Sequence, residues 1–286
     1  MGASFYLQQG MNGLSFGSLL FLLASGLTLI FGLMRVANIT HGSYYLLGAY
    51  VGLSVMHWTH NFPLAIAAGG AAVAVIGIMM QRWFLARFHQ QALPQVLLTM
   101  GFAFVFSDQA LVLWGGDPQT IPAPSILSGT LVLGSIYFPV YRLFVIAVGL
   151  LVYAGLWVLQ ERTRVGAMVR AAVDDAEMAR GLGINVWKVM TGVFAVGAFL
   201  AAAGGVMGGA FLSIYPGADF DVLPLAFVVV IVGGLGSLKG ALVGSLLVGL
   251  LDNFGKALFP ELSYFTLFAP MAVILALRPT GLFGRA

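Results

Sequence analysis

The sequence predicts an all-α fold, a polytopic transmembrane helix bundle of eight or nine spans that forms one domain over residues 1–286. Three observations lead to this prediction. Hydrophobic residues make up 60% of the chain and charged residues only 8%, whereas about a quarter of the residues of a soluble domain are charged. Apolar runs near the ~20 residues that a helix needs to cross a bilayer follow one another almost continuously. The main interruption is a polar, charge-dense segment at residues 161–188.

The apolar runs, bounded by polar or Gly/Pro clusters, give the spans in order. We expect them near residues 11–34, 40–57, 62–81, 94–114, 137–159, 189–213, 222–236, 240–258 and 262–278. The seventh run is short for a crossing, and a re-entrant seventh segment would leave eight spans instead of nine. The longest connection on the outer side, residues 115–136, has room for a short strand pair around Gly129.

The basic residues predict the orientation of the bundle. If the segment at residues 161–188 faces the cytoplasm, alternation of nine spans leaves only Arg142 and Lys256, of 13 basic residues, away from the inner side. This distribution follows the positive-inside rule for membrane proteins. The amino terminus is then expected outside and the carboxyl terminus in the cytoplasm.

Composition and motifs exclude several classes of function. The net charge of +3 comes from scattered basic residues with no patch of interleaved aromatics, which argues against a nucleic-acid partner. The chain has no cysteine and therefore no disulfide framework or thiolate metal site. The run at residues 233–240 resembles a phosphate-binding loop but lacks the GxxxxGKS/T spacing, so ATP chemistry is expected on another chain. Because no catalytic set can be assembled at membrane depth, we expect neither an enzyme nor a bound cofactor.

Most of the 38 glycines lie within the apolar runs. Glycines or other small residues four apart allow helix backbones to approach closely. Such pairs occur at Gly13 and Gly17, Gly48 and Gly52, Gly204 and Gly208, Gly205 and Gly209, and along Gly236, Gly240 and Gly244. We expect these pairs to pack helices within the chain rather than to form a dimer seam.

Two carboxylates fall inside predicted spans, Asp108 in the fourth and Asp252 in the eighth. An ionisable group at membrane depth is a functional candidate by default. Both lie toward the outer ends of their spans, where water reaches, which favours a structural role over a proton relay. The lack of a mid-membrane cation for either carboxylate argues against an ion-coupled pump. Asp108 is the candidate coupling residue if the protein is instead an ion-coupled secondary transporter.

Polar residues also cluster between the first two spans, at Asn38, Thr40, His41 and Gly42. In one interpretation they line or gate the inner end of a substrate pathway. In the other, Asn38 or Thr40 caps the second helix and His41 bonds a backbone carbonyl. The sequence favours neither interpretation over the other.

The charge-dense segment contains a predicted amphipathic helix. Apolar residues at helical spacing form one face, with charged residues opposite. The apolar face is Val165, Met168, Val169, Ala172, Ala176 and Ala179, and the polar face holds Arg170, Asp174 and Glu177. Gly181 and Gly183 are expected to end this helix, and Asn185 to cap the next one. Four acidic residues in the segment oppose contact with an anionic lipid surface, so docking to a protein is favoured over lying in the lipid interface.

Four stretches of the chain resemble a known family, the permeases of bacterial ABC importers for high-affinity branched-chain amino acid uptake. The first is residues 163–188, TRVGAMVRAAVDDAEMARGLGINVWK, which is similar to the cytoplasmic coupling loop of these permeases. The others are residues 12–50, the stretch VVVIVGGLGSLKGALVGSLLVGLLDNF from Val228, and RPTGLFGR near the carboxyl end. Length and the short amino terminus resemble the smaller, LivH-type member of the permease pair.

The resemblance implies a permease subunit, in the bacterial inner membrane, that passes hydrophobic amino acids inward. It further implies a second permease subunit, two ATP-binding subunits, a periplasmic substrate-binding protein and contact with membrane lipid. The residues that it assigns to ATPase docking are Gly166, Arg170, Ala171, Asp174, Glu177, Gly181 and Gly183. Asn38, Thr40, His41, Gly42 and Asp108 are the pathway candidates. Urea or short amides are alternative substrates within the family, and a purely structural membrane subunit is a further alternative.

Overall fold

The computed structural model describes residues 2–34, 38–88, 91–133 and 136–284. These ranges contain eleven α-helices and one two-stranded sheet. The helices are α1 (Ala3–Met34), α2 (Thr40–Thr59), α3 (Phe62–Trp83), α4 (Ala92–Trp114), α5 (Val140–Arg162), α6 (Arg164–Asp174), α7 (Ala176–Gly181), α8 (Val186–Gly208), α9 (Ala218–Gly233), α10 (Leu238–Leu258) and α11 (Ser263–Leu277). The strands are β1 (Thr130–Leu133) and β2 (Ile136–Pro139), paired antiparallel. A strand pair was expected around Gly129 and is present, but its second strand occupies the expected start of the fifth span, and α5 begins only at Val140.

In the described ranges, six helices are long and apolar enough to cross a bilayer. They are Ser4–Met34, Phe62–Trp83, Ala92–Trp114, Val140–Arg162, Val186–Gly208 and Leu238–Leu258. Helix α2 has sufficient length at 20 residues but begins with polar side chains, and α9 and α11 have only 16 and 15 residues. The chain is therefore an all-α, polytopic membrane bundle, as the composition predicts.

Helix α2 occupies the centre of the bundle. Every residue from Thr40 to Tyr50 is buried, with α3, α4, α8 and α9 packed around the helix and α1 reached through His41. Small residues set the distance between α2 and α8: a Cβ on Gly48 would lie 2.6 Å from the carbonyl oxygen of Ala202, and one on Gly205 would overlap the carbonyl of Tyr45. The glycine pairs thus pack helices within the chain. By contrast, α4 and α5 are mostly exposed.

Side-chain caps define several helix starts. Asn185 accepts a hydrogen bond from Lys188 N at 3.0 Å, which confirms it as the predicted cap of α8. Asn61 caps α3 and Ser237 caps α10 in the same way. Each cap satisfies an amide that the first helical turn leaves free.

Three predicted spans have misplaced ends. The first was expected from residue 11, but α1 begins at Ala3. The sixth span was expected at residues 189–213, but α8 ends at Gly208 and the chain continues without a helix to Gly217. This connection is held by backbone bonds to the loop between α4 and β1, including Gln119 N to Ile214 O at 2.8 Å and Ile121 N to Gly209 O at 2.7 Å. The seventh span was expected at 222–236, whereas α9 begins four residues earlier and stops before Gly234, whose φ is +105°.

Candidate functional site

The charge-dense segment forms two short helices rather than the single helix that its periodicity predicts. Helix α6 stops at Asp174, and Asp175 adopts an extended backbone with φ −152° and ψ 101°. The Asp175 carboxylate accepts hydrogen bonds from Glu177 N and Met178 N, both at 2.9 Å, and so begins α7. The side chain competes with the helix for these amides, which explains the break.

Two of the predicted docking residues, Gly166 and Arg170, also hold this segment to the end of α5. A Cβ on Gly166 would overlap the carbonyls of Leu159 and Gln160, so only glycine permits this approach. The Arg170 guanidinium donates to the Gln160 carbonyl and lies 3.9 Å from Glu161. Ala171 is partly buried beside the apolar contacts between α6 and α8.

The other four predicted docking residues, Asp174, Glu177, Gly181 and Gly183, are exposed. Apolar side chains share this surface, since Met178 is 62% and Leu182 is 74% exposed. Val165 was expected on the packed face but is 50% exposed. We call the exposed surface of α6, α7 and residues 182–183 the lever surface.

The start of α2 is a buried polar cluster that joins three other helices. Thr40 Oγ1 donates to Thr99 O of α4 at 2.8 Å, and Ile39 N donates to Thr99 Oγ1 at 3.2 Å. His41 Nε2 lies 2.8 Å from Leu23 O of α1, the backbone contact expected for this side chain. Asn38 Oδ1 accepts from Thr40 N at 3.2 Å, but the residue at the N-cap position is Ile39, which makes no side-chain cap bond, so the cap expected at Asn38 or Thr40 is wrong.

Asp219 at the start of α9 belongs to the same cluster, and the sequence interpretation missed it. Ser43 Oγ donates to Asp219 Oδ2 at 2.8 Å, and Asp219 is only 2% exposed. A Cβ on Gly42 would lie 2.6 Å from the Asp219 carbonyl oxygen, so this glycine allows the start of α9 to approach α2. The predicted spans left Asp219 in a loop between residues 213 and 222. Its position just ahead of an apolar run was the available signal.

The cluster lies deep in the bundle and is closed. Leu23, beside His41, precedes the end of α1 at Met34 by 11 residues, or roughly 16 Å along the helix. Three buried polar atoms of the cluster have no hydrogen-bond partner, namely Asn38 Nδ2, His41 Nδ1 and Asp219 Oδ1. A cavity of about 10 Å³ near the end of α1 has room for about one water. It is lined by Met34, Gln81, Leu85, Ala86, Gln95, Trp187 and Met190.

The remaining ionisable residues at membrane depth are spread apart. Asp108 lies on the exposed face of α4, away from the α2 cluster's buried side chains. Asp252 is buried and pairs with Lys256 at 2.8 Å, a cation that the sequence interpretation had not matched to it. Arg142 donates to Asn12 rather than meeting a carboxylate. Within the described ranges, no group of three or more His, Asp or Glu side chains could hold a metal ion.

Comparison with known proteins identifies the family. The family model for the permease component of branched-chain amino acid transport systems matches residues 10–276. The chain is 31% identical to the high-affinity branched-chain amino acid transport system permease protein BraD of Pseudomonas aeruginosa, over 98% of this chain and 96% of that protein. It is 29% identical to the LivH permease of Escherichia coli strain K12, over the same shares.

A more distant relative is the ribose import permease protein RbsC of Escherichia coli strain K12, which is 26% identical over 89% of this chain and 79% of that protein. No solved structure matches the chain significantly. The family match and the relatives both span nearly all of the described helices. The chain therefore belongs to the family of permease components of branched-chain amino acid transport systems.

Proposed function

We propose that the chain is the membrane-spanning permease subunit of an ATP-driven importer for branched-chain or other hydrophobic amino acids. The observation that carries this proposal is the near-full-length similarity to BraD and LivH, both named as permeases of such systems. ATP is hydrolysed on separate subunits. The full assembly contains this chain, a second permease subunit, two ATP-binding subunits and a periplasmic substrate-binding protein.

The lever surface is the docking site for an ATP-binding subunit. It combines exposed charges at Asp174 and Glu177 with exposed apolar side chains at Met178 and Leu182, the composition of a surface that another protein covers. Its buried side is fixed to α5 through Gly166 and to α8 through the apolar contacts of Ala172 and Ala179. Closure of the ATP-binding subunits would therefore move α5 and α8 as rigid elements.

The chain spans the inner membrane nine times, through α1 to α5 and α8 to α11, with eight crossings as the alternative if α9 is re-entrant. With nine crossings, the amino terminus is outside and the carboxyl terminus cytoplasmic. This orientation is supported by the positive-inside distribution of the basic residues. It places the lever surface in the cytoplasm and the loop that contains β1 and β2 at the face that receives the substrate-binding protein.

The substrate pathway passes the polar cluster at the start of α2. Asn38, Thr40, His41 and Gly42 supply hydrogen-bonding groups at a depth where the surrounding side chains are apolar, and a zwitterion needs such groups in transit. Because the cluster is closed, the residues act as a gate that opens when neighbouring helices separate. Asp108, on the exposed face of α4, faces either the second permease subunit or the outer part of the pathway.

The docking proposal is tested by reversing a charge on the lever surface. We expect Asp174→Arg to lower recovery of the ATP-binding subunits in a pull-down by about tenfold or more, because like-charge contacts at an interface cost several kcal/mol. The matched control is Asp117→Arg, an equally exposed aspartate in the outer loop. Full recovery with Asp174→Arg would place the contact elsewhere.

Substrate identity is tested with the assembly in liposomes. ATP-dependent uptake of radiolabelled leucine, and its competition by isoleucine, valine, urea or acetamide, separates amino acids from short amides. The relative named for ribose import shows that similar permeases serve other solutes. Uptake driven by a proton or sodium gradient without ATP would favour the ion-coupled alternative, and unchanged uptake without this chain would favour a structural subunit.

A further inference from the structure

We propose that Asp219 binds the ammonium group of the transported amino acid, at a site enclosed by the starts of α2 and α9. This inference rests on the proposed function and names the substrate group that this carboxylate recognises. It follows from the burial of Asp219, from its hydrogen bonds, and from the way in which two helices close over it.

Asp219 is a buried carboxylate with one oxygen that no side chain engages. Oδ2 accepts from Ser43 at 2.8 Å, the backbone amides of Asp219 and Phe220 also interact with the carboxylate, and the residue is 2% exposed. Oδ1 has no partner of hydrogen-bond geometry. It forms no ion pair with any residue in the ranges 2–34, 38–88, 91–133 and 136–284. Charged side chains at membrane depth are costly and are retained where they serve substrates or ions. The first turn of α9 offsets part of this cost through its free amides.

The first turns of α9 hold two further acceptors. Pro224 lies inside α9 and has no N–H, so it leaves the carbonyl of Phe220 without its usual intrahelical donor. Asp221, exposed where Asp219 is buried, accepts from the Tyr215 hydroxyl at 2.5 Å through one oxygen. An ammonium group has three donors and no acceptor. The free carboxylate oxygen of Asp219 is suited to such a group.

Two phenylalanines pair between α4 and the start of α9. Phe104 of α4 and Phe220 of α9 have ring centroids 5.4 Å apart, and both rings are exposed at the surface of the bundle. In the same region, Ser43 and Thr40 bond Asp219 and Thr99 respectively. Helix α4 packs mainly against α2 and is otherwise exposed. Separation of α4 from the start of α9 would therefore open the site without disrupting the core.

The opposing explanation is that Asp219 only ties α9 to α2. Two substitutions separate the explanations. Asp219→Asn has the same shape and can still accept the Ser43 hydrogen bond, but it removes the charge. Ser43→Ala removes the hydrogen bond and keeps the charge. A structural role predicts that Ser43→Ala is at least as harmful as Asp219→Asn, and an ammonium site predicts the reverse order.

The experiment uses the complete importer, with both permeases, both ATP-binding subunits and the substrate-binding protein, in liposomes with radiolabelled leucine. We expect Asp219→Asn to lower the initial rate of uptake about tenfold to a hundredfold, the range for loss of a hydrogen bond to a charged group. Asp219→Glu should recover part of this loss. Asp252→Asn is the matched control, because that buried carboxylate already has Lys256 as a partner, and its uptake should change less than twofold.

The outcomes are distinct from those of the proposed function. If the wild-type importer does not take up leucine, the proposed substrate class is wrong. If the wild type transports leucine and Asp219→Asn does so equally well, the ammonium site is wrong. Failure of Asp219→Asn to assemble with the second permease, or greater harm from Ser43→Ala, would assign Asp219 to structure and overturn the inference. Leucine uptake that becomes independent of a proton gradient in Asp219→Asn would assign it to proton coupling instead.

Discussion

Replacing Gly48 with alanine should destabilise the bundle, whereas the same change at Gly101 should not. A Cβ on Gly48 would overlap Cα and Cβ of Ala202, and because Cα is a backbone atom, relief requires that α2 and α8 move apart. Overpacking of this kind lowers the free energy of unfolding by about 1–3 kcal/mol, and we expect the upper end of this range because the overlap is with a backbone atom. Alanine recovers about 1 kcal/mol through its better helix propensity, so the net loss is about 2 kcal/mol.

Gly101 is the matched control because it also lies in a helix but has no heavy atom within 4 Å of a built Cβ. There alanine should stabilise by up to about 1 kcal/mol. The assay is thermal unfolding of the detergent-solubilised chain, followed by loss of the monodisperse peak in size-exclusion chromatography. We expect a midpoint several degrees lower for Gly48→Ala than for Gly101→Ala. Equal midpoints would refute the conclusion that the contact between α2 and α8 limits the stability of the bundle.

Two further predictions concern the lever surface and the orientation of the chain. Gly183→Pro should uncouple ATP hydrolysis from leucine uptake in liposomes. Gly183 has φ +83° and donates its N–H to Arg180 O at 2.9 Å, whereas proline cannot reach this φ and has no N–H to donate. Unchanged coupling would contradict this role. The chain has no cysteine, so single cysteines can report the orientation. Met178 is 62% exposed and Ile126 is 91% exposed. We expect Met178→Cys to react with a membrane-impermeant maleimide from the cytoplasmic side and Ile126→Cys from the outer side, and the opposite pattern would invert the topology.

The sequence predicts the long helices well and their interruptions poorly. The fourth span was expected at 94–114 and α4 runs from Ala92 to Trp114, because an apolar run of that length has few other solutions in a membrane. The ends of α8 and α9 were misplaced because hydropathy continues past them. Gly208 ends α8 where the chain turns to bond the outer loop at Ile121, a tertiary contact that leaves no mark on the apolar pattern.

The candidate site shows the same limit. The residue types at Asn38, Thr40 and His41 indicate a polar helix start, and the bond from His41 to a backbone carbonyl was expected. The depth of these residues in the bundle was not expected. A helix that begins beside the middle of α1 has the same composition as one that begins at the membrane surface, so the sequence does not distinguish them. Asp219 was missed for the same reason. Its partner, Ser43, is 176 residues away in the chain, and no local pattern connects the two.

The packing suggests how the lever surface reaches the polar cluster. Helices α6 and α7 connect α5 to α8, and Ala172 and Ala179 pack against Val186 and Met190 at the start of α8. Along its length α8 is held to α2 by backbone-to-backbone contact at Gly48 and Gly205, and close-packed elements of this kind move together rather than deform. A shift of α8 would thus carry α2 with it. The start of α2 is joined to α4 by the bonds of Ile39 and Thr40 to Thr99, and to α9 by the bond from Ser43 to Asp219 and the close approach at Gly42. These contacts at the start of α2 are therefore where we expect the bundle to part when the importer opens.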